Sequence, residues 1–523
     1  MTTILSRLRL KRDRAPRRPV PFARPLVSGR LDTVSVRRTT VRFLPESTRV
    51  ISKPFIPSGR IAPLVERILA MSDADVVETM ASTEMLFADR HRDLRRVFET
   101  NFQTVASHVA NSGTLSEMRR LLIGAYCTQE YSVDSAALGN PSMVLAPDQG
   151  GLRAGEHRFI ISLRAIGEGH VSSVEFRTGV IDSQSRISIE PVRSNKMTTG
   201  TCRMSSYTKT HFFGKLSELH VDHEICQLVL NALPESFTMT ELEGAISNLE
   251  RVGVSAAQSF ATARIIHWLA SSTYKLDFPT DSDISERVIF PSGQAESHGI
   301  EDARFVRVRR NDDSYTYCAT YTAYDGFEIL PQMIETSDFI SFNISTLRGA
   351  CAQAKGIAMF PRMINGLYTA LARHDNENNY LMQSDDASFW QKTNQIQTPS
   401  RPWELFQLGN CGSPIETEAG WLVITHGVGP MRRYTLGALL LDLDDPCRVI
   451  GHLNEPLLVP EADERDGYVP NVVYSCGATR FGNTLVLPYG FSDRGASIAL
   501  VTLDELLDVL TASTSVISPT NRE

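Results

Sequence analysis

The stretch His298-Gly-Ile-Glu-Asp-Ala-Arg304 sets two adjacent carboxylates and an arginine behind a glycine-marked turn. Carboxyl groups are candidates for general acid or base work. In a regular strand Glu301 and Asp302 point to opposite faces, so only one of them can be the reacting group. A surface salt bridge at a strand entrance would use the same residue types. The choice between the two readings therefore rests on what lies downstream.

Downstream, polar groups recur at the ends of apolar runs. Lys355 precedes Gly356-Ile-Ala-Met-Phe360, Arg373 and His374 follow Leu367-Tyr-Thr-Ala-Leu-Ala372, and His426 ends Trp421-Leu-Val-Ile-Thr425. Asp493 follows Leu485-Val-Leu-Pro-Tyr-Gly-Phe-Ser492. Such residues can converge only if a scaffold gathers the strand ends at one place.

The pattern of short strands supplies that scaffold. Arg158-Phe-Ile-Ile-Ser-Leu-Arg164 and Val171-Ser-Ser-Val-Glu-Phe176 flank a Gly167-Glu-Gly169 turn and read as a hairpin. After Phe305-Val-Arg-Val308 and a polar turn at Asn311-Asp-Asp-Ser314, the run Tyr315 to Tyr324 forms the next one. Comparable groups follow near 355–385, 405–445 and 470–503. Antiparallel units at a spacing of roughly 40–60 residues, each too small to bury itself, are the mark of a β-propeller, here with about five units.

Two stretches have helical periodicity instead. In 62–129, Thr114-Leu-Ser-Glu117 reads as a capping box ahead of Leu115, Met118, Leu121 and Leu122, and Ser72 caps a helix carrying Val76, Val77 and Met80. In 215–270, Thr240-Glu-Leu-Glu243 reads as a second capping box, with Leu242, Ile246 and Leu249 at helical spacing. His211, His220, His223 and His267 lie in or beside this block without an i,i+4 pair or paired carboxylates, so no metal is assigned.

Composition sets the outer limits. With 523 residues, 42% of them hydrophobic and 22% charged, the chain can bury a large core. A formal net charge of -7 gives no global attraction to nucleic acid or anionic membrane, so any anion site must be local. No apolar run is long enough to span a bilayer. Eight cysteines without Cys-x-x-Cys or zinc-finger spacing point to reduced thiols in a cytoplasmic protein. The expected organisation is a flexible basic tail over 1–43, rich in Arg and Pro, and a helical extension over 44–150. A catalytic β domain follows over 151–505, with a helical insertion about 213–272 and a C-terminal tail from 506 to 523.

Six motifs stand in a telling order: Gly-Ile-Glu-Asp-x-Arg, Phe-Pro-x-x-Ile-Asn-Gly, Pro-Ile-Glu-Thr-Glu-x-Gly-Trp-Leu, His-Gly, Leu-Gly-Ala-Leu-Leu-Leu-Asp-Leu-x-Asp-Pro and Tyr-Gly-x-x-Asp. Together they resemble glycoside hydrolase family 130, which contains β-mannoside phosphorylases and some β-mannosidases. The resemblance covers about 150–505 and implies a mainly β, five-bladed propeller, here with N-terminal and inserted α-helical segments. It implies Asp302 as general acid, acting through a sugar hydroxyl, with Ala303 where the family usually has proline. Arg164, Glu301, Arg304 and Asp493 are the implied sugar-site residues, and Lys355, Arg373 and His426 the implied phosphate-site residues.

The expected activity is therefore inverting phosphorolysis of a short β-mannoside, releasing mannose 1-phosphate reversibly. Inorganic phosphate is a co-substrate, and no cofactor is needed. Water-based exo-β-mannosidase chemistry, β-mannosyl transfer in the synthetic direction, and a non-catalytic sugar-binding propeller are the alternatives. An inverting hydrolase needs a second carboxylate roughly 6.5–9.5 Å from the acid, and Glu416 and Glu418 are the candidates. A phosphorylase needs one acid and a cationic pocket, which Lys355, Arg362, Arg373, His374, His426, Arg432 and Arg433 could furnish. Taken singly, Arg362, Arg432 and Arg433 read as surface charges. The expected partners are an oligosaccharide and phosphate, with no nucleic acid or membrane. The helical additions are expected to cap the β domain or to form a homo-oligomer interface.

Overall fold

The computed structural model describes residues 34–514, except 57–58, 110–111, 220, 222 and 250–254. The arginine-rich stretch before residue 34 and His220 therefore lie outside the described residues.

The chain is mainly β, and apart from two two-stranded pairs its strands can be grouped, along the sheets and with the largest sheet divided in two, into five sets among the described residues. The first joins Ala137–Leu145, His157–Ile166, Ser172–Ile181 and Ile187–Ile189. The second joins Gly299–Arg309, Tyr315–Tyr324, Ile329–Thr336 and Ser341–Thr346, extended outward by Tyr274–Asp277 and Thr201–Met204. One parallel pairing, Gly299 with Ser172, links these two groups. The third runs Ala358–Met359, Tyr368–Ala372, Asn379–Ser384 and Lys392–Gln397, and the fourth is built on Gly420–Val428 and Tyr434–Leu441. The fifth contains Val473–Tyr474, Thr484–Phe491 and Gly495–Thr502. These are the hairpin groups that the alternating runs predict. Their inner strands are buried on both faces, as in Gly420–Val428, and so read as continuous apolar runs rather than alternating ones.

At both ends of the described residues a regular element stands where a tail is expected. Val36–Phe43 is no tail: it pairs antiparallel with Gly495–Thr502, Val36 opposite Val501 and Phe43 opposite Ala496. Arg38 on this strand donates to Glu464, a fully buried carboxylate that also accepts from Tyr489 Oη at 2.5 Å. The arginines of such a strand serve the sheet edge, which a tail reading based on charge alone overlooks. At the other end, Leu503–Thr514 is a helix whose Leu506 and Leu510 are fully buried against the last sheets, in place of the expected tail.

The helical stretches form where the period predicts, with shifted caps. Ser72 caps Asp73–Phe87 by accepting from Asp75 N. Glu117–Tyr126 is capped by Ser116 rather than Thr114, because Thr114 ends a preceding 3-10 turn. Thr238 and Glu241 make the capping box of Met239–Ser247, two residues ahead of the predicted pair. The expected 44–150 extension also holds two short paired strands, Val50–Pro54 and Thr128–Ser132, and yields its last residues to the first sheet.

A buried ionic cluster pins this extension to the first sheet. Arg49, with no exposed surface, donates to Glu175 Oε2 at 3.0 Å and to Ser285 O at 2.8 Å. Arg177 pairs with the other Glu175 oxygen at 2.9 Å. Burial opposes the ionised Glu175, but Arg177 and Arg49 outweigh it and hold its pKa below the ordinary value. Asp134, 3.8 Å from Arg49, is pushed up to about 8 by burial and then by the Glu175 carboxylate.

Removing Arg49 strands a buried carboxylate, so Arg49→Met should cost about 3–5 kcal/mol in urea unfolding. Asp134 has an ordinary pKa near 3.9 when unfolded, so between about pH 4 and 8 the folded chain keeps a proton that the unfolded chain has lost. Stability through this group thus falls as pH rises across that window. Asp134→Asn should remove that decline. Equal losses of urea midpoint between pH 5 and 8 in parent and variant would show that Asp134 is not the group responsible.

Candidate active site

The site is assembled around an irregularity in Gly299–Arg309. Glu301 pairs with Thr322 and Arg304 with Thr320, so Asp302 and Ala303 together oppose one residue, a β-bulge. Asp302 adopts φ 56, the left-handed region that Asp tolerates better than most residues. The bulge breaks strict alternation. Glu301 and Asp302 therefore need not alternate as in a regular strand, and the charges of both bear on Asp493. Gly299 is required by close approach: a Cβ there would lie 2.2 Å from Ser172 Oγ.

Asp302 accepts a short hydrogen bond from Asn140 Nδ2. Asn140 itself sits at φ 47 within the irregular stretch of Ala137–Leu145 between Gly139 and Ser142. Its neighbour Glu301 is held by two cations, Arg164 Nη2 at 2.9 Å and Lys355 Nζ at 2.5 Å. Asp493, at φ 48 just beyond Thr484–Phe491, is pushed upward by burial. Arg164 opposes that rise, Asp302 and Glu301 add to it, and Arg432 opposes it again. Arg164, Glu301 and Lys355 are thus joined by ion pairs, and the charges of Arg164, Asp302 and Glu301 reach Asp493.

Beneath them lies Arg304, a guanidinium 1% exposed. Its Nη1 donates to Asn410 O at 3.0 Å and to Asn410 Oδ1, and its Nη2 to Tyr474 Oη at 2.7 Å. Asn410 in turn donates to Gly356 O at 2.9 Å. Arg304 therefore ties the second strand group to the third, fourth and fifth. Its Nη1 and Nη2 bond to the protein and make a floor for the site, while its Nε is buried without a partner.

Arg373 and His426 flank this floor. A Cβ on Gly409 would lie 2.3 Å from Arg373 Cδ and 2.6 Å from His426 Cε1, so glycine there makes room for both. Gly356, at φ +86, approaches Arg373 Nε and Arg304 Nη2 in the same way. Arg373 Nε and His426 Nε2 are buried without a hydrogen-bond partner. Burial, then the charges of Arg373 and Arg304, hold His426 well below its ordinary pKa, so its imidazole is neutral at pH 7. Two guanidiniums, one with an unfilled N–H at Arg373 Nε, beside a neutral imidazole form a place for an anion.

Other candidates lie elsewhere. Glu416 pairs with Arg362 at 3.0–3.1 Å, and that guanidinium covers the Trp421 ring at 4.8 Å. Glu416 sits opposite Trp421, five residues along the strand from His426, or about 16 Å at strand rise. Glu418 is 88% exposed beside Arg480. Neither reaches Asp302 as a hydrolytic base. His374 is exposed and packs edge-on to Tyr380. Arg433 is an exposed charge, but Arg432 lies over the Tyr434 ring at 5.9 Å and acts on Asp493, at the site rim.

Residue-type reasoning misses Asn140, Asn410 and Tyr474. Asn140 had a signal, since Gly139-Asn-Pro141 interrupts an otherwise strand-like run. Tyr474 had none, because its partner is 170 residues away in sequence. Among the described residues, no group of three His, Cys, Asp or Glu side chains could hold a metal ion.

A family model described as β-1,4-mannooligosaccharide phosphorylase matches residues 277–512. A 1,2-β-oligomannan phosphorylase from a Thermoanaerobacter species is 32% identical over 244 residues, which is 44% of this chain and 75% of that protein. A β-1,2-mannobiose phosphorylase from Listeria innocua is 31% identical over 229 residues, 42% of this chain and 63% of that protein, so less than two thirds of its length is spanned. The solved structure of a Listeria innocua β-1,2-mannobiose phosphorylase with its mannobiose aligns with 73% of this chain and 93% of its own, at 23% identity and TM-score 0.42. At 32% identity over three quarters of a phosphorylase's length, the chain belongs to glycoside hydrolase family 130.

Proposed function

We propose that this protein is an inverting β-mannoside phosphorylase, converting a short β-linked mannoside and inorganic phosphate to α-mannose 1-phosphate and the shortened sugar, reversibly. The observation that carries this reading is Arg373, its Nε–H buried and unfilled, packed with the buried His426 around Gly409, with no free carboxylate from Glu416 or Glu418 at hand. Phosphate, as nucleophile and anion, needs a cationic pocket, whereas water needs a base. The relatives' phosphorylase activities support the same choice.

In this reading Asp302 is the general acid. A phosphate oxygen attacks the anomeric carbon from the face opposite the leaving group, the glycosidic C–O bond breaks, and the proton from Asp302 passes through a sugar hydroxyl to the departing oxygen. Asn140 aims the carboxyl group. Arg164, Glu301 and Asp493 hold the mannose, with Arg304 fixing the floor beneath it. Arg373 and His426 hold phosphate, and Lys355, bridged to Glu301, stands between the two subsites. The five strand groups are read as five propeller blades, with Val36–Phe43 completing the last one. None of the eight cysteines is in a disulfide, which supports a reducing, cytoplasmic setting, and no helix among the described residues is long and apolar enough to cross a membrane.

The test is product analysis from β-1,2- and β-1,4-linked mannobiose with and without phosphate. Phosphate-dependent α-mannose 1-phosphate is expected, and Asp302→Asn should lower kcat by about 10²–10⁴-fold. Free mannose released at the same rate without phosphate would overturn the assignment in favour of hydrolysis. Arg373→Met should raise the KM for phosphate by roughly tenfold or more, the cost of a charge-assisted hydrogen bond, while the KM for mannobiose stays near the parent value. A matched rise in both constants would place Arg373 outside the phosphate subsite.

A further inference from the structure

The strands that deliver the candidate site at one end deliver a second cavity at the other. A space of about 420 Å³ is lined by Met143 to Leu145, Phe305 to Arg307, Pro361, Ser413 to Glu416 and Ala478 to Gly482, one contribution from each of the five strand groups. The corresponding site residues are Asn140, Asp302, Gly356, His426 and Asp493. From Asp302 to Arg307 is five residues, or about 16 Å of strand. This cavity is therefore separate from the candidate active site, and its volume falls in the usual range for small-ligand pockets.

Its chemistry is that of an anion site with an aromatic wall. Arg307 makes no hydrogen bond or ion pair among the described residues, and its Nε is buried without a partner. Its guanidinium lies 3.7 Å from the Tyr315 ring centroid, which orients the group without neutralising it. Arg480 has only Glu418 nearby, at a loose 3.9 Å, and Glu418 is 88% exposed. Glu416 also lines the space, but Arg362 engages both of its oxygens. His157 stacks on Phe481 at 5.6 Å to form a flat face, and Ser413 Oγ is a further buried polar atom without a partner. A half-buried arginine whose Nε has no partner, in a cavity that five sequence-distant segments line, is placed to take an anion.

We propose that this cavity is a second binding site, specific for a phosphoryl group, either inorganic phosphate or a sugar phosphate. Arg307 and Arg480 take the phosphoryl oxygens, and the His157 and Phe481 face covers the body of an ester. The proposal rests on the cavity's own residues and stands whether or not the active site uses phosphate. If the active site does, both ends of the same strands respond to one chemical group, and the far site senses the concentration of co-substrate or product.

The experiment is equilibrium binding to the full chain with three probes: inorganic phosphate, α-mannose 1-phosphate and mannose. Two phosphoryl sites per chain are expected. Arg307→Met with Arg480→Met should abolish one site, or weaken it by at least tenfold, and leave kcat at saturating substrates unchanged. Arg373→Met should remove the other site only. Tighter binding of the ester than of phosphate would identify sugar phosphate as the occupant, and equal binding would identify the free anion. Arg480→Glu, a substitution at an accessible side chain, serves if the double variant folds poorly, and should show the same selective loss. Two sites retained in both variants, or mannose competing for the far site, would overturn the proposal. A single site lost only with Arg307 and Arg480 would sustain it while sinking the phosphate subsite at Arg373.

Discussion

The arrangement turns on one buried cation. Arg304 carries its charge into a region with almost no solvent, and such a charge is tolerated only if its donors are met by well-placed acceptors. The acceptors come from two other strand groups, Asn410 and the Tyr474 hydroxyl, and Asn410 reaches a third through Gly356. The requirement to satisfy one guanidinium thus fixes the mutual position of strands more than a hundred residues apart. It also adds, after burial and Arg373, to what holds His426 below its ordinary pKa.

Strain and close approach are concentrated around the same point. Asp302, Asn140 and Asp493 all adopt positive φ although none is glycine, a conformation that costs about 1–3 kcal/mol at each position unless its surroundings enforce it. The ladders on either side of the bulge do so for Asp302, where regular pairing resumes at Arg304. This explains how Ala303 can stand where a proline would otherwise restrict the turn: the aim of Asp302 is set by the paired strand and by Asn140, not by a rigid ring. Glycines at 356 and 409 serve the opposite purpose, removing side-chain bulk where Arg373 and His426 must enter.

The additions to the β domain act as fasteners. Val36–Phe43 completes the last sheet and carries Arg38 to Glu464, while Arg49 locks the N-terminal extension to the first sheet through Glu175 and Ser285. In both cases arginine is the connector, because its planar fork can serve a carboxylate and a carbonyl at once. Charge counting over the first 43 residues cannot separate such fasteners from solvated arginines, since the difference lies in partners that are hundreds of residues away.

What the sequence determined by itself was local or repetitive. Short strand-like runs between turns located the hairpins, helical period located both helical stretches, and the motif order around Asp302, His426 and Asp493 pointed to one family. Caps were legible to within about two residues, because Ser and Thr compete for the same role over so short a span. Tertiary structure alone decided what depended on distant partners. It built the bulge at Asp302, since a register shift is a property of two strands and not of one. It moved Glu416 to the far strand end, tied Arg304 to Asn410 and Tyr474, and recruited Asn140. Composition could not reveal these placements, because each is settled by where a buried charge finds its hydrogen bonds.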